Sequence, residues 1–311
     1  MNACQPNSHS VPAPPAEDTK VARPRGTDAT RSPGTAFGCA RDFLDNRFVY
    51  TVVSPRARGL SVGVNVNPDQ FCNFDCAYCE VNRSEKPREA KLDVEVMIAE
   101  LERTLALAQN NGLRTRECYQ HLPEELLQLR HVTLSGDGEP TLSENFAAVV
   151  EAVTHLRACG RFPFFKIVLL TNASGLDQPA VTEGLRLFTP RDEVWAKFEA
   201  GTQEYMDRVN KPGCPLEQIL ANILSLARQR PVIIQSLFPA LAGQGPPASE
   251  IETYARHLKD LRNSGAQIPL VQIYSATRPT PHSECGHLPL RTLSAIAQRV
   301  REVAGLKAEV F

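Results

Sequence analysis

The 311-residue chain has no run of eighteen or more apolar residues, which excludes an ordinary membrane-spanning helix. It has no excess of charge of either sign. With 34 Lys+Arg against 35 Asp+Glu the formal net charge is −1, so no global basic surface is on offer to nucleic acid, although a local patch can hide in a neutral total. The opening residues, MNACQPNSHSVPAPPAEDTK, lack the basic stretch and apolar core of a secretory signal, so the expected location is cytoplasmic. The nine cysteines are an odd number in a long chain, unlike the even framework of a small disulfide-bonded secreted domain, and fit a reduced intracellular protein. Beyond residue 36 there is neither a second low-complexity linker nor an internal repeat.

What is present divides the chain in two. Residues 1–36, rich in Pro, Ala, Ser, Thr and Arg without an apolar period, are expected to form a disordered tail. Residues 37–311 are expected to form one domain. Within it, short β-branched or apolar runs at 60–67, 131–136, 164–172, 193–200, 231–238 and 270–277 read as strands. Helical spacing lies between them: Val94, Ile98, Leu101 and Leu105; Phe146, Val149, Val150 and Val153, with Ser143 placed to cap and Gly160 to end; Ile251, Tyr254, Ala255, Leu258 and Leu261; Leu293, Ile296, Ala297 and Val300. Six strands alternating with helices imply an α/β fold with parallel strands, either a (βα)6 partial TIM barrel or an open doubly wound sheet. In both, active sites gather at the carboxyl ends of the strands.

The segment CNFDCAYC puts Cys72, Cys76 and Cys79 directly after the strand at 60–67, with no fourth ligand nearby. A zinc site wants four ligands, often as two separated pairs, and a distant His or Cys would have to complete one here. An iron–sulfur cubane can instead be held at three corners, leaving one iron open to a small molecule. The isolated Cys118, Cys159 and Cys214 read as small buried hydrophobes.

Cys-x3-Cys-x2-Cys after the first strand of such a chain resembles the radical S-adenosylmethionine (SAM) superfamily. That resemblance implies a [4Fe-4S] cluster on Cys72, Cys76 and Cys79, with SAM chelating the open iron and cleaved to a 5′-deoxyadenosyl radical that abstracts hydrogen. It also implies a one-electron donor such as flavodoxin or ferredoxin. Tyr78 occupies the family's aromatic position, whose backbone faces the adenine. SGDGEPTL (135–142) resembles the Gly-Gly-Glu-Pro stretch that binds the methionyl ammonium, with Asp137 in place of glycine, Gly138 allowing close approach and Glu139 offering a carboxylate. Asn172 is implied at the ribose or methionine end of SAM. Lys197 inside an apolar strand either pairs with a carboxylate, such as that of the cofactor, or snorkels its head to the rim, and Gln235 is either a cofactor contact or a satisfied core residue.

Stretches 54–83, 132–142, 208–212 and 271–280 resemble the subgroup of wyosine-type tRNA-base synthases and bacterial relatives. Such synthases carry further N-terminal cysteines for a second cluster, whereas only Cys4 and Cys39 precede Cys72 here. One cluster is therefore expected, and the wyosine reaction is not carried across. The loop 278–290 holds Arg278, His282, Cys285 and His287, which are either ordinary loop residues, a metal-binding group or a hydrogen-atom donor. A non-enzymatic zinc protein and a degenerate radical protein are the alternatives to an enzyme.

Overall fold

A computed structural model describes residues 43–87, 89–278 and 280–311, all within one compact unit. The expected tail at 1–36, Cys4 and Cys39 lie outside the described residues.

Among the described residues the main sheet has eight strands. They are β1 (Val49–Ser54), β2 (Gly59–Asn65), β3 (Leu129–Ser135), β4 (Lys166–Thr171), β5 (Glu193–Lys197), β6 (Val232–Leu237), β8 (Val271–Tyr274) and β10 (Ala308–Val310), hydrogen-bonded in that order. A separate ribbon pairs β7 (Ala240–Leu241) with β9 (Cys285–Gly286). The helices are α1 (Val94–Gln109), α2 (Glu124–Leu127), α3 (Phe146–Ala158), α4 (Pro179–Arg186), α5 (Gln203–Val209), α6 (Leu216–Gln229), α7 (Ala248–Asn263) and α8 (Leu290–Ala304). The six expected strands are β2, β3, β4, β5, β6 and β8, paired in parallel. β10 extends the parallel set at one edge, and β1 adds an antiparallel strand at the other through the turn at 55–58.

Helices cover the outer face, so the central strands are covered on both sides and read as nearly continuous apolar runs. α7 buries Ile251, Tyr254, Ala255, Leu258 and Leu261, and α8 buries Leu293, Ile296, Ala297 and Val300, as their 3.6-residue spacing requires. α1 starts at Asp93, whose carboxylate accepts from Val96 N at 3.1 Å. Its buried Glu100 accepts from the backbone amides of Arg47, Phe48 and Val49, fixing where β1 begins. The cap of α3 differs from expectation. Asn145 is the N-cap, while Ser143 Oγ donates to Val66 O and accepts from Asn145 N in the preceding turn. Gly160 does end α3, with φ +67° that a Cβ would disfavour.

The sheet curls until its edges approach one another. Arg58, after β1, reaches Glu309 of β10 at 3.1 Å. The result is a partial barrel whose carboxyl-end mouth carries the cysteine loop.

Candidate active site

The cysteine loop follows β2 and is held by backbone bonds to a segment far away in sequence. Ala77 N donates to Val209 O at 2.7 Å, Asp75 N to Asn210 O at 3.1 Å and Gly213 N to Asn73 O at 2.7 Å, and Phe74 bridges Pro212. Residues 209–213, which overlap the motif at 208–212, thus form the shelf on which the loop rests. Cys72, Cys76 and Cys79 line a single cavity of about 190 Å³, together with the carboxyl ends of β3, β4 and β5.

Each sulfur has an N–H donor in reach. Asn172 Nδ2 lies 3.9 Å from Cys72 Sγ, Asn210 Nδ2 3.6 Å from Cys76 Sγ and Arg83 Nη2 3.9 Å from Cys79 Sγ. Burial pushes the Cys72 thiol up and that of Cys76 up to about 12, and a cationic centre beside them would favour their thiolate forms. Among the described residues no three His, Cys, Asp or Glu side chains converge on one point. A zinc ion requires such convergence, at ligand distances of about 2.0–2.3 Å. A cubane does not, because its three thiolates bind three different irons. Three thiols spread around one cavity, each beside a donor, are an arrangement that a cubane held at three corners would fit.

The Gly-Asp-Gly-Glu-Pro turn after β3 packs against this loop. A Cβ on Gly138 would collide with the Phe71 carbonyl oxygen and lie 2.7 Å from Asn67 Cβ, so only glycine allows the two segments to touch. Glu139 N donates to Phe71 O at 3.0 Å across the same contact. Asp137 is held by Asn65, which donates to its carboxylate at 2.7 Å and accepts from its amide at 3.0 Å. The Glu139 carboxylate is directed inward. It accepts from Thr141 N (3.1 Å), Thr141 Oγ1 (2.7 Å), Thr171 Oγ1 (2.5 Å) and Asn172 N (2.6 Å). Glu139 lines the cavity, but its acceptors are engaged by the chain itself, tying the end of β3 to the end of β4. Asn172 turns back through Ser174, whose N and Oγ both donate to its Oδ1, and points its amide at Asn73 and Cys72.

Lys197 finds its carboxylate within the chain. Its Nζ is 3.7 Å from Glu199 Oε1 and 4.1 Å from the centroid of the Tyr78 ring. Burial is the largest single effect and pulls the ammonium down, but Glu199, Tyr274 and Cys76 together outweigh it and hold Lys197 above its ordinary value. The buried Tyr78 hydroxyl donates to Glu199, and Asn210 Nδ2 donates to Glu199 at 2.8 Å and to the Tyr78 oxygen at 3.0 Å. Glu199 lines the same cavity, and its buried Oε2 has no hydrogen-bond partner among the described residues. An acceptor orphaned in a cavity marks where a ligand donor belongs.

A family model described as the Radical SAM superfamily matches residues 66–258, more than half of the chain. The chain belongs to the radical SAM superfamily. Among curated relatives, the UPF0026 protein slr1464 of Synechocystis is 29% identical over 58% of this chain and 60% of its own. The UPF0026 protein MJ1312 of Methanocaldococcus jannaschii is 24% identical over 56% and 47%. The chain thus spans about half of the curated relatives it matches. Streptococcus suis SuiB, in a crystal structure bound to S-adenosylmethionine, superposes with a TM-score of 0.54 at 16% identity, covering 78% of this chain and 49% of SuiB. A structure of TYW1 with a lysine-pyruvate adduct bound gives 0.51 at 15% identity, covering 81% and 75%. These likenesses establish a shared partial-barrel fold.

In this radical SAM chain the cavity collects Cys72, Cys76, Cys79, Tyr78, Asp137, Gly138, Glu139, Asn172 and Lys197. Gln235 is not among its lining residues. It is a buried core residue, donating to Gln272 at 3.1 Å and accepting from Tyr274 OH at 3.0 Å. Cys285 pairs with Leu241 in the small ribbon, and neither it, His282 nor His287 reaches the cavity. Cys159 is exposed and Cys214 only partly buried, so neither is the buried hydrophobe expected. Arg83, Glu199 and Asn210 belong to the site without having been singled out. Glu199 had a signal, since it follows Lys197 by two residues and so shares its side of an extended segment.

Proposed function

We propose that this chain is an enzyme that uses a [4Fe-4S] cluster on Cys72, Cys76 and Cys79 to cleave SAM reductively, acting on a substrate still to be identified. The single observation that carries the reading is the cavity in which three donor-flanked thiols face a Gly138 contact too close for any side chain. When bound, the cluster supplies the electron that splits the sulfonium of SAM and so opens radical chemistry. The chain's part is to hold and to shield. Asn172, Asn210 and Arg83 offer N–H groups to the sulfurs, and N–H···S bonds stabilise the electron-rich reduced cluster. Lys197 and Tyr78 fix Glu199, whose free oxygen is available to a hydroxyl or amine of the cofactor. A flavodoxin or ferredoxin as electron donor and a cytoplasmic location belong to this reading. Among the described residues no helix is long and apolar enough to cross a membrane.

Anaerobic reconstitution tests the reading. About four irons and four sulfides per chain are expected, with 5′-deoxyadenosine and methionine formed from SAM on addition of dithionite. A colourless protein holding one zinc would refute it, and a cluster without SAM cleavage would leave a protein that has lost the reaction.

A further inference from the structure

A second cavity, of about 330 Å³, opens on the side where the curled sheet brings β1 toward β8. Val52, Leu237, Ala276 and Phe311 give it apolar walls, and Tyr78 lines both this cavity and the cysteine cavity. Into it projects Arg56, from the turn between β1 and β2. Its guanidinium lies over the Tyr274 ring, Cζ to centroid 4.2 Å. Among the described residues it has no ion-pair or hydrogen-bond partner, and its Nε is buried without an acceptor. Of the described Asp and Glu side chains only Glu80 lines the cavity, and it is held by Arg278 at 3.1 Å.

Other arginines with an orphaned Nε are accounted for. Arg83 spends its terminal nitrogens on Phe74 O and Cys79 Sγ, and Arg230 on the carbonyls of Leu185, Thr189 and Asp192. Arg56 alone of the three lines this second cavity and spends none of its terminal nitrogens on the described residues. A guanidinium stacked on a ring keeps its face occupied and its in-plane N–H groups free, and that fork matches two oxygens of a carboxylate or phosphate. We infer that Arg56 is the anchor for an oxyanion on the substrate, and that the substrate is a carboxylate- or phosphate-bearing compound with an apolar body, seated across Tyr78 from the SAM cavity. The inference names a substrate class for the proposed radical enzyme and rests on that reading for its role, but the anion site itself can be tested without it.

Calorimetric titration of the full-length protein with phenyl phosphate and with benzoate, without reductant, reads the site directly. Saturable binding of at least one probe is expected. Binding of only phenyl phosphate assigns a phosphate, of only benzoate a carboxylate, and of both the shared oxyanion chemistry. Arg56→Gln should weaken binding at least tenfold, and Arg56→Lys, which keeps the charge and loses the fork, by less. Circular dichroism on the same samples establishes that the variants are folded. No saturable binding of either probe, or wild-type affinity in Arg56→Gln, would overturn the inference. Because no electron transfer is involved, a protein that binds the probes but fails to cleave SAM would sink the enzymatic reading and leave the anion site standing. One that cleaves SAM but ignores both probes would do the reverse.

Discussion

Replacing Glu139 by glutamine changes one atom of a carboxylate that accepts four hydrogen bonds from the chain. Three donors meet Oε1 and one, Asn172 N at 2.6 Å, meets Oε2. The glutamine keeps its carbonyl oxygen toward the threonines, so its NH₂ must face the Asn172 amide, donor against donor. One hydrogen bond to a charged group is lost, about 1.5–3 kcal/mol, and the buried Asn172 N–H is left unsatisfied. Glu139→Ala strips all four donors, two of them backbone amides, and should cost at least about 4 kcal/mol, a large share of a typical domain stability of about 5–15 kcal/mol. Urea unfolding of the metal-free protein measures both. The Gln variant should lower the midpoint without changing the slope. The same samples, reconstituted, should bind SAM more weakly, because the β3 and β4 ends that form the cavity wall are no longer tied. A Glu139→Gln variant within about 0.5 kcal/mol of wild type, the range of ordinary surface changes, would refute the role of this carboxylate as the tie.

Cys72→Ala, Cys76→Ala and Cys79→Ala should each lose the oxygen-labile cluster, read as iron content and absorbance near about 400 nm; full iron in any one would remove that ligand. Asn210→Ala deletes an N–H beside Cys76 Sγ and should make the cluster's reduction potential more negative, measured by a redox titration followed by electron paramagnetic resonance. His131, buried edge-on to Trp195, is lowered to about 3 by burial, with Lys166 and Arg56 adding repulsion. Its folded value lies below its unfolded one, so its neutral form's stability is complete above about pH 6.5 and is lost as pH falls toward 3; between pH 6.5 and 5 the loss should be roughly 1.5–2 kcal/mol, and absent in His131→Phe. Deleting residues 1–36 should leave iron content and SAM cleavage unchanged; about eight irons in the full-length protein, or half of the iron lost on truncation, would show a second cluster.

Six strands are legible in the sequence because each is a short apolar run bounded by breakers, and four of them are followed by a helical period. Two are not part of that alternation. β1 is a β-branched run, Val49–Ser54, but it joins β2 by a tight turn and not by a helix, and β10 is only three residues long. The cluster ligands are legible because their spacing is local. The Glu199 group is not, because Tyr78, Lys197 and Asn210 come from three separate segments and meet only when the sheet curls. Gln235 shows the limit from the other side. A polar residue in a central strand has the same pattern whether it serves a ligand or, as here, Gln272 and Tyr274.

The shelf formed by residues 209–213 has a consequence for the order of events in synthesis. The cysteine loop has its backbone shape only once Val209, Asn210 and Gly213 are in place, more than a hundred residues after Cys79. Contacts so distant in sequence form late, after the intervening loops have been closed. A nascent chain exposing CNFDCAYC therefore presents three loose thiols, not a site. The receiving geometry arises after β3, β4, β5 and α5 have been made and packed, which places metal loading downstream of barrel formation and leaves the thiols open to oxidation until then.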